Sequence, residues 1–514
     1  MAGLLSRDRI VAAPGFNRWL VPPAALAIHL CIGQAYAFSV FKLPLTRVLG
    51  VTASTPDDWT QKQLAWVFTL AIVFLGLSAA VFGKWLERVG PRTSGVTAAL
   101  CWAAGFGLGA VAVRTHQLWL LYLGYGVIGG CGLGLGYITP VSTLIKWFPD
   151  RRGLATGLAI MGFGGGALIA SPLSQMLLDR FATPTSVGVA KTFLVLGAVY
   201  LLFMLGGAFL FRLPADGWRP VGWTPPTEAR ALVARGNVLV GDAVRTPQFY
   251  LLWTILFVNV TAGIGIIEQA SPMIQEMFPG KVTAAAAAGF VGLLSLFNMG
   301  GRFFWSSLSD RIGRRPTYFV FLGLGPLLYL GIPFAGHLGS VPLFVSLAVL
   351  ILTMYGGGFA TIPAYLADLF GTANVGAIHG RLLTAWSAAG VAGPVLVNWI
   401  RQAQIDRGLS GTDVYTLSMY TMIALLLVGL VCNGMVRAVA AERFQPRGPE
   451  AGLTPTGPLG GPAPVAVAAD PANPLPAAAS GSRTMPLLLT WGAVKLPLLW
   501  GVWTTLQKAM QLFR

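Results

Sequence analysis

The sequence predicts an all-α integral membrane protein built from two six-helix halves, followed by a further hydrophobic segment near the C-terminus. Of the 514 residues, 55% are apolar and only 10% are charged, whereas a soluble domain usually carries about 25% charged residues. The apolar residues form twelve long stretches, and one polar segment divides them six and six. A charged motif also recurs at matching places in the two halves.

A membrane-spanning helix needs about 20 mostly apolar residues. Transmembrane β-strands need only about ten alternating residues, so these longer, continuously apolar stretches exclude a barrel. The stretches divide the chain into a first half at 19–212, a central loop at 213–246 and a second half at 247–440. The predicted spans lie near 19–41, 62–83, 93–113, 117–140, 154–176, 191–212, 247–269, 285–308, 316–335, 341–365, 375–399 and 414–438.

The basic residues predict the orientation of the helices. One set of loops, which includes the N-terminal segment and the central loop, carries 17 Lys and Arg residues, and the alternate loops carry nine. The richer side is normally cytoplasmic. Residues 1–18 are therefore predicted to be a cytoplasmic N-terminus, and no cleaved signal peptide is expected.

An internal repeat supports two duplicated halves. The segment GKWLERVGPR at 83–92 recurs as SSLSDRIGRR at 306–315, which is 223 positions later. Pro140 and Pro363 are separated by the same distance. Parallel repeats of six spans, with a site at their interface near the membrane midplane, are one known design of secondary transporters.

The repeated motif resembles the signature loop of the major facilitator superfamily. Span four adds GYGVIGG at 124–130 and GYITP at 136–140, followed by KWFPDRRGLATG at 146–157. This stretch is similar to the oxalate/formate antiporter family within that superfamily, and the resemblance covers residues 17–440. It implies a major facilitator fold, transport of a small organic anion by alternating access, and a multi-pass protein of a bacterial inner membrane.

Arg302 is the first candidate substrate ligand. It precedes Asp310 by eight residues, so about 12 Å of helix separates it from the basic loop, near the middle of a hydrocarbon layer of about 30 Å. A charge at that depth normally faces a cavity or a partner, and a guanidinium can hold a carboxylate through two hydrogen bonds. A structural arginine, paired with backbone or extended to the membrane surface, is the alternative. In antiporters of the resembled family an arginine on span eight binds the substrate carboxylate, which implies this role for Arg302.

Span eleven departs from the family pattern. The oxalate carrier of the family also uses a lysine three residues after a tryptophan, whereas here Ala389 follows Trp386 at that spacing. Two cations suit a dianion and one suits a monoanion, so we expect a monocarboxylate substrate. Arg381, the other nearby cation, is expected at the membrane edge.

Four more side chains are candidate substrate contacts: Gln34, Tyr36, Tyr355 and Trp386. The resemblance implies cavity walls of aromatic and polar-tipped side chains. Gln34 and Tyr36 point to roughly opposite faces of a straight helix, so we expect only one of them to line the cavity. Ordinary packing or an interfacial aromatic belt is the alternative for each.

Two residues are candidates for proton coupling. His29 in span one has a side chain type that can relay protons near neutral pH, although a neutral, hydrogen-bonded core histidine is the alternative. Glu268 near the outer end of span seven is a candidate coupling carboxylate or an interface residue. Since Glu268 is peripheral, anion exchange and uniport stay open beside proton symport.

The acidic and basic residues of the repeat, Glu87 with Arg88 and Asp310 with Arg311, are predicted to be cytoplasmic gating residues. Charge pairs and helix-end contacts at these positions would hold one of the two alternating-access states. We do not expect them to bind substrate.

The C-terminal region divides into a Pro/Ala-rich linker at 441–485 and a hydrophobic helix at 486–511. The helix is just long enough to span, although Lys495 lies at its centre and Pro497 interrupts its hydrogen bonding. We expect it to span the membrane. A helix lying along the membrane surface is the alternative.

These features predict a secondary active transporter of a small organic anion, a monocarboxylate, working by proton symport or anion exchange. An exporter of amphiphilic or cationic compounds would need an acidic residue in the central cavity, and a transporter-like sensor is the other alternative. We predict no enzyme, because neither a His-Glu-x-x-His motif nor paired aspartates at a plausible depth occur. The expected partners are the organic anion and the lipid bilayer, with no nucleic acid, cofactor or metal, and a monomer suffices.

Overall fold

The computed structural model describes residue 3 and residues 6–215, 217–223, 232–234, 236–445 and 484–510. Thirteen helices in this part of the chain are long and apolar enough to cross a membrane. Extended structure among these residues is limited to isolated bridges such as that between Val11 and Leu213. Most of the predicted linker, residues 446–483, lies outside the described residues.

Each of the twelve predicted spans coincides with a helix. The first half contains α1 Arg18–Ala37, α2 Gln61–Val89, α3 Pro91–Thr115, α4 Leu118–Trp147, α5 Arg152–Phe181 and α6 Val189–Leu210. The second half contains α7 Pro247–Met277, α8 Ala284–Ile312, α9 Arg314–His337, α10 Val341–Phe370, α11 Val375–Asp406 and α12 Asp413–Met435. The thirteenth helix is α13 Thr484–Ala509.

The repeat has the same backbone geometry in both halves. Gly90 separates α2 from α3 with a φ of 87°, and Gly313 separates α8 from α9 with a φ of 91°. Residues with a side chain rarely adopt this region, which explains a glycine at both positions. We call the end of the bundle that carries these two turns the basic end.

The two halves contact each other from the basic end to the middle of the bundle. Helix α2 packs against α11, and α5 packs against α8. Ser387 of α11 donates a hydrogen bond of 2.7 Å to the Ile72 carbonyl of α2. All hydrogen bonds between the halves that involve described residues lie between this level and the basic end. The structure is therefore closed at the basic end.

Helix α13 lies against both halves. Leu498 packs on Gly165 of α5, and Thr505 packs on Gly292 of α8. At the basic end the Trp491 indole N–H donates to the Trp19 carbonyl at 3.2 Å. The helix thus runs from the basic end towards the opposite end, the direction that a spanning segment requires. Pro497 does not interrupt the helix.

Candidate functional site

Arg302 lies at the centre of the bundle, fully buried between the two halves. Its Nε donates to Asn298 Oδ1 of its own helix at 3.0 Å. Its Nη1 donates to the Ile160 carbonyl of α5 in the first half at 3.3 Å. Nη2 has no hydrogen-bond partner among the described residues, and none of their carboxylates pairs with this guanidinium. Among the described side chains, the buried positive charge of Arg302 therefore has no counter-charge.

Aromatic side chains surround the guanidinium. Its carbon lies 5.2 Å from the ring centroid of Phe359 and 5.9 Å from that of Phe163. Trp386 packs edge-on against both rings at 4.7 and 5.4 Å, and its indole nitrogen has no described partner. Tyr137 lies 5.6 Å from Trp386. We call the group formed by Arg302, Phe163, Phe359, Trp386 and Tyr137 the central chamber.

Tyr36 and Tyr355 join this chamber from α1 and α10. The Tyr36 ring lies 5.0 Å from that of Phe163. The two tyrosine hydroxyls lie near each other, but neither makes a hydrogen bond of good geometry with a described residue. The structure thus places Tyr36, Tyr355 and Trp386 together with Arg302.

Gln34 lies on the other side of α1. Its Oε1 accepts a hydrogen bond of 3.0 Å from the Tyr125 hydroxyl, and the Tyr125 ring packs against Trp102 and Phe106 within the first half. Gln34 therefore belongs to the core of that half, and of the two residues only Tyr36 faces the chamber.

Two histidines adjoin the chamber on its basic-end side. The rings of His29 and His379 lie 5.3 and 5.9 Å from that of Tyr137. Both are buried. The ring nitrogens of His379 have no hydrogen-bond partner among the described residues, whereas the His29 ring lies close to the backbone carbonyls of Tyr137 and Ala159. His379 was not singled out from the sequence, although its spacing of seven residues from Trp386 puts both on one helix face. The Glu268 side chain lies outside the described part of the structure.

Asn298 and Gly164 also position Arg302 and carry no sequence signal of this role. Asn298 precedes the arginine by four residues, so the two side chains meet on one face of α8. A Cβ atom at Gly164 would lie 2.9 Å from Arg302 Nε. The absence of a side chain at Gly164 thus gives the guanidinium its space against α5.

The helices that flank the chamber depart from regular α-helix at its level. Helix α1 tightens to a 3₁₀ segment over Gly33–Ala37. Helix α11 consists of an α-helix at Val375–Leu382 and another at Thr384–Asp406. Mid-helix segments of this kind often mark hinges.

Asp310 joins the halves at the basic end. Its two carboxylate oxygens accept hydrogen bonds of 2.8 Å from the backbone amides of Gly153 and Leu154. These amides lie in the first turn of α5, where a helix leaves amides unpaired and favours negative charge. Arg314 pairs with Asp310 at 2.6 Å.

Asp368 extends this contact. It pairs with Arg314 at 3.0 Å and with Arg152 of the other half at 2.8 Å. We call the network of Asp310, Arg314, Asp368 and Arg152 with the α5 amides the Asp310 latch.

Glu87 makes the contact in the first half that corresponds to that of Asp310 in the second half. It accepts hydrogen bonds from the Gly376 amide at 3.2 Å and the Ser142 hydroxyl at 2.9 Å, and it pairs with Lys146. Gly376, in the first turn of α11, lies 223 positions after Gly153. We call the group of Glu87, Ser142, Lys146 and the Gly376 amide the Glu87 latch.

The arginines predicted to share this role lie apart from both latches. Arg88 and Arg311 are exposed and have no partner among the described residues. The acidic members of the repeat therefore join the halves, and the arginines beside them do not.

No group of three or more His, Cys, Asp or Glu side chains in the described ranges is placed to hold a metal ion.

Comparison with known proteins agrees with this architecture. The chain is 28% identical to the oxalate:formate antiporter of Oxalobacter formigenes over 378 residues, which are 73% of this chain and 83% of the antiporter. It is 28% identical to monocarboxylate transporter 11 of Homo sapiens over 446 residues, covering 82% and 83% of the two chains. The crystal structure of the Escherichia coli fucose:proton symporter superposes with a TM-score of 0.59 at 15% identity, covering 82% of this chain and all of the symporter.

The sequence profile of the Major Facilitator Superfamily matches residues 24–394. The match spans both halves, including Arg302 and the two latches. It also agrees with the helical architecture of the solved symporter. The resemblance of the repeated loops to that superfamily is confirmed, and this chain belongs to the Major Facilitator Superfamily.

Proposed function

We propose that the protein is a secondary active transporter of a small monocarboxylate, which binds Arg302 in the central chamber. The observation that supports this most is the buried guanidinium with a free Nη2 and no described carboxylate partner. An uncompensated buried charge is costly. A carboxylate substrate would supply the missing charge and accept hydrogen bonds from the guanidinium.

The composition of the chamber limits the substrate to one negative charge and a small size. Arg302 is the one arginine or lysine among the described residues that lies over the Phe163 and Phe359 rings. Ala389 is buried and carries no charge. The aromatic walls suit a short apolar substituent on the carboxylate. The names of the two relatives refer to oxalate, formate and monocarboxylates, and they support a small organic anion as the substrate.

We further propose that the basic end faces the cytoplasm, with the N-terminus on that side of a plasma membrane. The excess of Lys and Arg in its loops supports this orientation. In the alternating-access cycle, the closed basic end then corresponds to a state that opens towards the outside. The latches would have to break for release into the cytoplasm.

The coupling mode depends on whether a side chain in or beside the chamber holds a proton during transport. We include both proton symport and anion exchange in the proposal. His29 and His379 support symport, because both are ionisable side chains that are buried beside the chamber and pack against Tyr137. Uptake that responds to a pH gradient in wild type and loses this response in His29→Gln would support symport. Uptake driven only by internal anion would support exchange.

Uptake into proteoliposomes tests the substrate proposal. We would measure labelled formate, lactate, pyruvate and oxalate with and without a pH gradient in wild type, Arg302→Ala and Arg302→Lys. Two charge-assisted hydrogen bonds contribute about 3 kcal/mol or more, so Arg302→Ala should lower monocarboxylate kcat/KM by more than about hundredfold. Lysine keeps the charge without the planar fork and should retain only part of the activity.

Arg381→Gln is the matched control. Arg381 donates to the Ala377 carbonyl of its own helix and lies outside the chamber. Monocarboxylate uptake by the Arg381→Gln protein should therefore stay within about threefold of wild type. Transport of oxalate alone would contradict the single-cation argument. Substrate binding that quenches tryptophan fluorescence without any uptake would contradict transport.

A further inference from the structure

A basic cavity lies at the basic end, outside the central chamber. It has a volume of about 560 Å³ and adjoins the Glu87 latch. The first half contributes the end of α2, including Lys84 and Arg88. The central loop contributes Arg245 and the segment just before α7, and the second half contributes Asn374 at the start of α11. The cavity thus exists only while the two halves are together at this end.

The charges that line the cavity are unbalanced. Lys84, Arg88 and Arg245 make no hydrogen bond or ion pair through their side chains with any described residue. Glu87 also lines the cavity, but it is already paired with Lys146. Asp242 is then the one lining carboxylate without a described partner. Among the residues that the structure describes, three cations without an ion pair therefore face one such anion.

The repeat shows what this latch lacks. In the Asp310 latch, Asp368 supplies a second carboxylate that neutralises Arg314 and Arg152. The position 223 residues before Asp368 is Ile145, which is buried and uncharged. The repeat-related position therefore gives the Glu87 latch no second carboxylate, and the cations beside it have no ion pair within the described part of the chain.

We propose that this cavity binds a phosphate-bearing anion from the cytoplasm and that its binding favours the closed state of the basic end. Two arginines and a lysine suit the several negative charges of a phosphate group. The volume also exceeds that of one phosphate and accommodates a diphosphate or a lipid headgroup. The ligand would bridge Lys84 and Arg88 of the first half to Arg245, which lies two residues before the start of α7. It would remove the repulsion between these cations.

Binding would shift the transport cycle because the site is absent when the halves separate. A ligand that binds only one conformation raises the population of that conformation. A soluble diphosphate and the headgroup of an anionic phospholipid present the same chemistry, so the source is a matter for experiment. The proposal goes beyond substrate transport and does not depend on which anion the central chamber carries.

Hydrogen–deuterium exchange of the full-length protein in nanodiscs tests the proposal without a transport assay. The reporter is the Gly376 amide, which is protected by Glu87 in the closed state. In phosphatidylcholine nanodiscs, inorganic pyrophosphate at constant ionic strength should slow its exchange at least threefold. In a parallel arm without pyrophosphate, nanodiscs containing phosphatidylglycerol are compared with phosphatidylcholine alone. Slowing in the first arm identifies a soluble source, and slowing only in the second identifies the lipid.

The variants separate a specific site from general charge screening. The triple variant Lys84→Gln, Arg88→Gln, Arg245→Gln should lose the slowing, and Arg245→Gln alone should raise the pyrophosphate concentration for half effect by more than threefold. Arg311→Gln is the matched control, because Arg311 is the exposed repeat counterpart of Arg88 and does not line the cavity. It should respond as wild type does. No slowing in either arm, or equal slowing in the triple variant, would overturn the proposal.

Discussion

The two latches occupy repeat-related positions but differ in the charges they contain. The Asp310 latch combines two carboxylates with two arginines, and Asp310 holds two amides of α5 at 2.8 Å. Among the described residues, the Glu87 latch pairs one carboxylate with one lysine, and it holds one amide of α11 at 3.2 Å. In both latches, a carboxylate at the basic end of one half caps the first turn of a helix in the other half.

The difference shows which part of a duplicated contact is maintained by the backbone. Gly153 and Gly376 present their amides at equivalent points because helices α5 and α11 begin at equivalent positions. The surrounding side chains have diverged, since Arg314 corresponds to Pro91 in the first half. We therefore expect the Asp310 latch to contribute more to closure of the basic end.

Asp310→Asn should have the largest effect of the latch substitutions. Asparagine offers one acceptor oxygen instead of two charged ones and leaves Asp368 as the one described carboxylate that pairs with Arg314. Hydrogen bonds to a charged group contribute about 1.5–3 kcal/mol each, so exchange of the Gly153 and Leu154 amides should speed up about ten- to hundredfold. Exchange mass spectrometry of the full-length protein measures this.

Asp179→Asn is the control for that substitution, because Asp179 bonds only to Gln175 within α5 among the described residues. It should leave both amides at wild-type rates. An Asp310→Asn protein whose first-turn amides exchange as slowly as in wild type would show that this latch does not hold the halves together.

Glu87→Gln should have a smaller effect in the same measurement. Glutamine can still accept from the Gly376 amide and the Ser142 hydroxyl. Of the described contacts of Glu87, mainly the partly exposed ion pair with Lys146 is therefore lost. Such pairs contribute about 1 kcal/mol or less. Gly376 exchange should therefore rise by less than about tenfold. A larger change than that of Asp310→Asn would reverse the ranking of the two latches.

Much of this architecture could be predicted from the sequence, because hydrophobic length and repeat spacing depend on local residues. The twelve spans, the duplicated halves and the depth of Arg302 follow from such patterns. The sequence also separates Gln34 from Tyr36 by helix geometry, but it does not say which one faces the chamber. That depends on how α1 packs against α4, where Tyr125 bonds to Gln34.

The partners of the key residues could not be predicted from one sequence, since they come from helices far apart in the chain. Gly164 approaches Arg302 because α5 and α8 are packed together. Asp368 joins a latch although it lies outside the repeated motif. His379 had a usable signal in its spacing from Trp386, but its contact with Tyr137 of α4 needs the tertiary structure.

Asp58 offers the sharpest contrast with the latches, because it has the same chemistry but lies within one half. Its carboxylate accepts hydrogen bonds from the backbone amides of Leu49, Gly50 and Thr55 at 2.8, 3.3 and 2.9 Å. Burial alone would raise the pKa of the Asp58 carboxyl, but these bonds and that of the Thr55 hydroxyl lower it below its ordinary value. All of these donors belong to the loop between α1 and α2.

Protonation of Asp58 should therefore loosen this loop. The same change at Asp58 should leave the latch contacts of Asp310 intact. Because the pKa of Asp58 is lower in the folded state, its ionised form stabilises the loop at pH values above the unfolded-state pKa of about 3.9. This stabilisation disappears as the pH falls through the folded-state pKa. Protection of the Leu49, Gly50 and Thr55 amides, corrected for intrinsic exchange, should fall between about pH 4 and pH 2. Asp58→Asn should show reduced protection already at pH 6, with Gly153 and Leu154 unchanged and uptake within about twofold of wild type. If Asp58→Asn exposed the Gly153 amide as Asp310→Asn does, closure of the basic end would depend on the stability of the first half and not on contacts between the halves.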